Sequence, residues 1–301
     1  MVVTGIPLRM TDWPGESPGL TGNPTSLLPM ANPRSHETAF ATSRGLIRPK
    51  PRAHRMVTGL VLAAGLGAAC TTGPDLDAPN AIVIEDPAGR LGPFHGLITD
   101  LVTTTAARVD SSLGLRGVTI RVVADGANAI AGYGIGGRSP DAVTVLIYVN
   151  PNYPNLGTTL TAKLPAMVAH ELHHAKRHRD PGYGATLLEA MVSEGLADRF
   201  SMELLEIGER PWSTALNGGA LTQWLDQARA QFDSRNYSHA DWFFGSGSIP
   251  LWAGYSIGYR LVTDYLTAKP GESAARLVAE PAATFRPSTA GQSIAVSAAH
   301  R

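Results

Sequence analysis

The sequence feature that most constrains this chain is a pair of histidines four residues apart in a long helical pattern. The segment HELHH runs from His170 to His174, inside an apolar pattern of helical period at residues 159–178. Residues four apart on a helix share one face, so both imidazoles point toward one position. In this HExxH arrangement two histidines bind zinc, and the glutamate, here Glu171, acts as general base beside a metal-bound water.

A third ligand is needed, because a catalytic zinc site uses three protein ligands and keeps one position open for water. Asp180 lies six residues after the second histidine, where metzincin-like enzymes place their third ligand. The glycine that their turn requires would fall at Arg177, which disfavours Asp180. Glu189 and Glu194 lie on the next helical pattern, at residues 186–207, and both remain candidates.

The spacing between His174 and Glu194 is similar to that of a known clan of zinc peptidases. Glu194 follows the second histidine by twenty residues, and Asp198 comes four residues later on the same helical face. This pattern resembles the gluzincins, the thermolysin-like clan. The resemblance implies that Glu194, rather than Glu189, is the third zinc ligand and that Asp198 hydrogen-bonds His170 and fixes its tautomer. It also suggests that Gly195 lets the two helices approach closely.

Three segments together resemble one family. HELHH, residues 189–198 and the later GYSIGY at residues 254–259 are similar to a bacterial family of predicted zinc-dependent proteases (a domain of unknown function, DUF 2268). The resemblance covers residues 81–266 and implies a zinc-dependent hydrolase.

Peptide hydrolysis also needs a donor for the developing oxyanion. In gluzincins a tyrosine or histidine has this role, which makes Tyr255, Tyr259 and His239 the candidates here. The two tyrosines lie four apart on a predicted helix at residues 252–266 and share a face, although aromatic residues in such positions also pack in cores. His239 lies in a predicted loop.

The remaining patterns predict an α+β fold of the zincin type, with a small mixed sheet on the HExxH helix and a helical C-terminal lobe. A helix is predicted at residues 93–112, and strands at residues 118–123 and 143–149. The Gly-rich segment at residues 131–139 is predicted as an edge strand or a loop beside a cleft. It contains GxGxxG, but a strand follows rather than a helix, so no nucleotide site is predicted. Tyr133 and Arg138 are candidates to line a substrate edge.

Composition and the N-terminal sequence limit the partners. Hydrophobic residues make up 44% of the chain, and 25 basic residues balance 25 acidic ones, so a globular protein without nucleic-acid binding is expected.

Residues 56–70 resemble a signal peptide with a lipobox that ends at Cys70, the only cysteine. An exported, periplasmic or cell-surface lipoprotein with a possible lipid anchor at Cys70 is therefore expected. The predicted divisions are an N-terminal extension or unused upstream start at 1–55, the signal at 56–70, a linker at 71–80, the peptidase domain at 81–280 and a flexible tail at 281–301.

These observations favour a zinc metallopeptidase that acts on peptides or proteins. Two alternatives use the same residues. One is a zinc amidase or deacylase with a cell-envelope substrate, and the other is a lipoprotein that binds zinc or a partner without turnover.

Overall fold

The computed structural model describes residues 73–287, which form an α+β fold with one small sheet and six α-helices in this range. The predicted α+β class is confirmed. The strands are β1 (Ala81–Glu85), β2 (Thr119–Ala124), β3 (Ile135–Arg138) and β4 (Thr144–Val149). The helices are α1 (His95–Leu113), α2 (Leu156–Arg179), α3 (Leu187–Leu205), α4 (Gly218–Arg229), α5 (His239–Phe244) and α6 (Ala253–Ala268).

The sheet has the order β1-β2-β4-β3, with β3 antiparallel at one edge and the other three strands parallel. Alternate residues of β2 and β4, such as Ile120 and Ile147, are fully buried in the main core. Strand β1 is not predicted from the sequence, whereas the Gly-rich segment does supply an edge strand. Because β3 contacts α2, this edge lies beside the HELHH segment.

Helix α3 packs most extensively on α6, and two glycines allow this contact. A Cβ atom on Gly195 would overlap the carbonyl of Gly258, and one on Gly258 would overlap the carbonyl of Met191. The close approach at Gly195 is thus to α6, and the expectation that this glycine joins the two helices of the metal motif is wrong. Gly254 similarly lies against the ring of Phe243 in α5.

The predicted extension at 1–55 and signal at 56–70 lie outside the described residues. Asn80, in the predicted linker, accepts a hydrogen bond from Val118 and donates one to the carbonyl of Leu115. Beyond residue 280, Ala282 and Phe285 are buried in a short 3-10 helix. Within residues 73–287, no helix has both the length and the apolar character needed to cross a membrane.

Candidate metal centre

The three predicted ligands of the metal motif come together in the structure. His170 and His174 lie one turn apart on α2, and Glu194 faces them from α3; all three are buried. The two Nε2 atoms are 3.0 Å apart, and Glu194 Oε2 lies 3.1 Å from His170 Nε2 and 3.3 Å from His174 Nε2. The lone pairs of three donor atoms therefore converge on one position.

The two rival third ligands lie elsewhere. Glu189 belongs to the N-terminal capping box of α3, where its carboxylate accepts hydrogen bonds from the backbone N–H groups of Ala185 and Thr186 at 2.7 and 2.8 Å. Asp180 is exposed at the end of α2. Arg177, which stands where a metzincin-like turn has glycine, is buried and donates to Ser193 and to the carbonyls of Val278 and Glu280.

Asp198 supports His170 from behind, as the gluzincin resemblance implies. Its Oδ1 atom lies 2.9 Å from His170 Nδ1. The same carboxylate accepts hydrogen bonds from Trp212 Nε1 at 3.0 Å and from Ser213 Oγ at 2.6 Å. With Asp198 completely buried, these contacts fix the imidazole of His170 with Nε2 toward the cluster.

Glu194 has a second partner that the sequence analysis misses. Tyr183 donates a hydrogen bond of 2.6 Å to Glu194 Oε1, the oxygen that does not face the histidines. Its ring also meets the ring of His174 edge-on at 5.3 Å. Tyr183 lies between Gly182 and Gly184 in the connection from α2 to α3, where no periodic pattern marks it.

Burial and mutual charge shape the protonation of the cluster. Burial raises the pKa of Glu194, but the neighbouring His174 and His170 outweigh this effect and hold the pKa well below its usual range. Burial lowers the pKa of His170, yet its hydrogen bonds to Asp198 and Glu194 dominate and raise that pKa. Glu194 is therefore a carboxylate, the form in which it can bind a cation.

Glu171 lies between the ligands and the edge strand. A Cβ atom on Gly137 of β3 would lie 2.7 Å from Glu171 Oε1, so the absence of a side chain there makes room for the carboxyl group. Burial, with the charges of Glu194 and Asp198, raises the pKa of Glu171 to about 8 despite the opposing charge of His170. Within residues 73–287, Glu171 Oε2 is buried without a hydrogen-bond partner. An orphaned carboxylate oxygen beside the ligands is suited to receive a proton from water.

The three candidate oxyanion donors have different surroundings. Burial raises the pKa of Tyr255, and the charges of Glu194, Glu171 and Asp198 raise it further. Its ring packs against those of Phe243 and Trp212. The His239 ring stacks on Phe243 at 4.3 Å. Burial lowers the pKa of His239, and the charge of Glu194 partly opposes this shift.

Tyr259 points away from the cluster. Its hydroxyl donates to Glu209 at 3.0 Å and accepts from Arg199 at 3.4 Å. Of the two candidate tyrosines, Tyr259 thus has its hydroxyl engaged by two charged residues outside the cluster.

Three further residues near the motif do not belong to the metal cluster. His173 is completely buried beside Phe200, and burial holds its pKa well below the usual range. Tyr133 packs edge-on against Trp212 and accepts from Arg210, so it lies inside the fold rather than on a substrate edge. Arg138 is exposed at the end of β3.

The donor set fits zinc. Two imidazole nitrogens and one carboxylate oxygen are the ligands of one common type of catalytic zinc site. Ligand atoms about 2.0–2.2 Å from a tetrahedral ion lie roughly 3.4 Å from one another, close to the separations found here. In the described part of the chain, this His170, His174 and Glu194 group is the one set of side chains that could hold a metal ion.

Fold and site together define a class, an α+β protein with a buried His-His-Glu candidate metal centre next to a sheet edge. The chain belongs to the family described as Predicted Zn-dependent protease (DUF2268), which matches residues 114–286. The matched region contains all the residues of the cluster and begins before β2. Comparisons with curated proteins and with solved structures found no match.

Proposed function

We propose that this protein is a zinc-dependent metallopeptidase of the gluzincin type, with a zincin-like arrangement of sheet edge and HExxH helix. The observation that carries the proposal is the convergence of His170, His174 and Glu194 beside a buried carboxyl, Glu171, that has an oxygen without a partner among the described residues. A site that only binds metal has no use for such a carboxyl group. The name of the family supports the same activity.

His170, His174 and Glu194 would hold the zinc. When bound, zinc lowers the pKa of a coordinated water toward about 7 and polarises a substrate carbonyl. Glu171 accepts the proton of the attacking water and passes it to the leaving amine.

Tyr255 is the candidate for the donor that stabilises the oxyanion. The charges of Glu194 and Glu171 both act on its phenol. A phenol beside the metal site can donate to the carbonyl oxygen of a substrate as negative charge develops. His239 is the second candidate, because the charge of Glu194 also reaches it.

The substrate is proposed to be a peptide or protein that binds as an extended strand. Strand β3 is the edge of the sheet, and Gly137 contacts Glu171 there. An extended peptide added to this edge would place its carbonyl groups close to the base. Gly136 is buried against the backbone of residues 128–130, so the partly buried Gly137 and the exposed Arg138 are the residues of β3 that such a chain would pair with.

Hydrolysis of fluorescein-labelled casein by the full chain tests this proposal. Wild type is expected to cleave casein, whereas Glu171→Gln should retain zinc and lose at least about a hundredfold in rate, because the proton acceptor is gone. Equal rates for the two proteins would contradict the proposal. Bound zinc without casein cleavage would favour the amidase or deacylase alternative, or a protein that binds zinc without turnover.

Export and a lipid anchor at Cys70 are proposed from the sequence of residues 56–70 alone. Detergent phase partitioning of full-length protein from a bacterial host tests this: wild type should enter the detergent phase and Cys70→Ala the aqueous phase. Identical partitioning would remove the anchor from the account.

A further inference from the structure

The connection between α2 and α3 carries a tyrosine that contacts two residues of the metal cluster. Tyr183 donates its hydroxyl to Glu194 Oε1 at 2.6 Å. Its ring lies edge-on to His174 at 5.3 Å and stacks on His178 at 6.1 Å. One residue thus touches two of the three proposed ligands.

The backbone around Tyr183 is fixed as well as its side chain. Ser193 Oγ, one residue before Glu194, donates a hydrogen bond of 2.5 Å to the carbonyl of Tyr183. Arg177 in turn donates to Ser193 Oγ at 3.0 Å. Gly184 lies against Glu189, and the Cβ of that glutamate leaves no space for a side chain at residue 184. The phenol is therefore held in place from both ends of the connection.

The two oxygens of Glu194 consequently have separate partners. Oε1 receives the Tyr183 hydroxyl, whereas Oε2 faces His170 Nε2 and His174 Nε2 at 3.1 and 3.3 Å. A carboxylate with one oxygen engaged in a short hydrogen bond presents the other oxygen alone to a cation. A freely rotating carboxylate could instead offer both oxygens and occupy the position that water needs.

We propose that Tyr183 is a positioning residue that makes Glu194 a one-oxygen metal ligand and thereby preserves the open coordination position. This inference rests on the proposed zinc site. Partners that orient the ligands of a metal site typically contribute 10–100-fold to metal affinity, as estimated for hydrogen bonds outside the ligand shell. Tyr183 acts through Glu194, and no contact of its own with substrate is required.

The test compares full-length wild type, Tyr183→Phe and Tyr153→Phe. Phenylalanine keeps the ring contacts of Tyr183 and removes only its hydroxyl. Tyr153 is a matched control, because its hydroxyl donates to the Gly132 carbonyl at 2.5 Å and does not touch the cluster. Zinc affinity is measured by competition with a chelator, and the visible absorption of the cobalt-substituted proteins reports the coordination of the metal.

Tyr183→Phe is expected to bind zinc about 10–100-fold more weakly and to show an altered cobalt spectrum, while Tyr153→Phe matches wild type. A wild-type affinity and spectrum for Tyr183→Phe would overturn the inference and leave the zinc site intact. Failure of wild type itself to bind zinc would overturn the proposed function instead. Ser193→Ala, which frees the carbonyl of Tyr183 but keeps the phenol, should give a smaller loss of affinity in the same direction, and an unchanged affinity would count against the inference.

Discussion

The two histidines of the cluster are held in different ways. His170 Nδ1 lies 2.9 Å from Oδ1 of the buried Asp198, and this carboxylate accepts hydrogen bonds from two further donors. His174 Nδ1, in contrast, has neither a carboxylate nor a hydrogen-bond partner beside it among residues 73–287, and its ring packs against the ring of Tyr183. The side of the cluster at Asp198 is thus organised by hydrogen bonds, and the side at Tyr183 by packing and one bond to Glu194. Removal of the Asp198 carboxylate should therefore cost more free energy of unfolding than removal of the Tyr183 hydroxyl.

Among the residues that hold the ligands in place, the largest effect is expected for Asp198→Ala. The change leaves His170 Nδ1, Trp212 Nε1 and Ser213 Oγ without their shared acceptor. Zinc affinity should fall about 10–100-fold, and the free energy of unfolding of the apo protein should fall by about 3 kcal/mol. Chelator competition and chemical denaturation measure the two effects. Asp264→Ala is the control, because Asp264 pairs with Arg260 on the exposed face of α6. Equal losses of unfolding free energy in Asp198→Ala and Tyr183→Phe would remove the distinction between the two sides.

Gly137→Ala tests the contact between strand β3 and the proposed base Glu171, rather than the contacts that hold the metal ligands. The added methyl group would meet Glu171 Oε1 at 2.7 Å and displace the buried carboxyl. Casein cleavage should fall about a hundredfold, as for other displacements of catalytic groups by about 1 Å, with zinc content unchanged. Gly96→Ala is the control, since nothing lies within 4 Å of the added atom. Loss of zinc in Gly137→Ala would mean that β3 also supports the ligands.

A smaller effect is expected for Ser213→Ala. Asp198 loses one hydrogen bond of 2.6 Å but keeps those to Trp212 and His170. Zinc affinity should fall roughly fivefold, which corresponds to about 1 kcal/mol. Ser111→Ala, which removes a hydroxyl on the exposed surface of α1, should bind zinc as wild type does. A loss as large as that of Asp198→Ala would show that the network acts as one unit rather than bond by bond.

The smallest effect is expected for Tyr259→Phe. Its hydroxyl contacts Glu209 and Arg199 outside the cluster, so zinc affinity and casein cleavage should equal those of wild type. Stability should change by less than about 1 kcal/mol.

Tyr255→Phe, by contrast, should lose about 100–1000-fold in kcat if it supplies the oxyanion donor. A large loss of kcat in Tyr259→Phe would reverse the assignment of the two tyrosines.

Local patterns in the sequence predict part of this site. His170, Glu171 and His174 follow from the geometry of one helix. Glu194 and Asp198 are chosen by a spacing that resembles a known clan; in the structure Glu194 lies beside the two histidines and Asp198 beside His170. The α+β class and the edge strand are predicted from the order and type of the elements.

The remaining features depend on tertiary contacts that leave no periodic signal. Tyr183 lies in a turn, and Trp212 and Ser213 lie in a loop, so their contacts with the cluster follow only from how α2 and α3 pack. Gly195 shows a related limit, because a glycine in a helix indicates a close approach without indicating which helix approaches. Tyr255 and Tyr259 share a helical face by spacing, but Glu209 and Arg199 direct Tyr259 elsewhere.

The metal centre is the central claim, and zinc content is its most direct test. Elemental analysis would compare full-length wild type with His170→Ala, Glu194→Ala and Glu189→Ala, the last of which loses only a helix cap. One zinc per chain is expected in wild type and Glu189→Ala, and little or none in the other two. Wild-type protein without zinc, or equal zinc in all four proteins, would contradict the assignment of His170 and Glu194 as ligands.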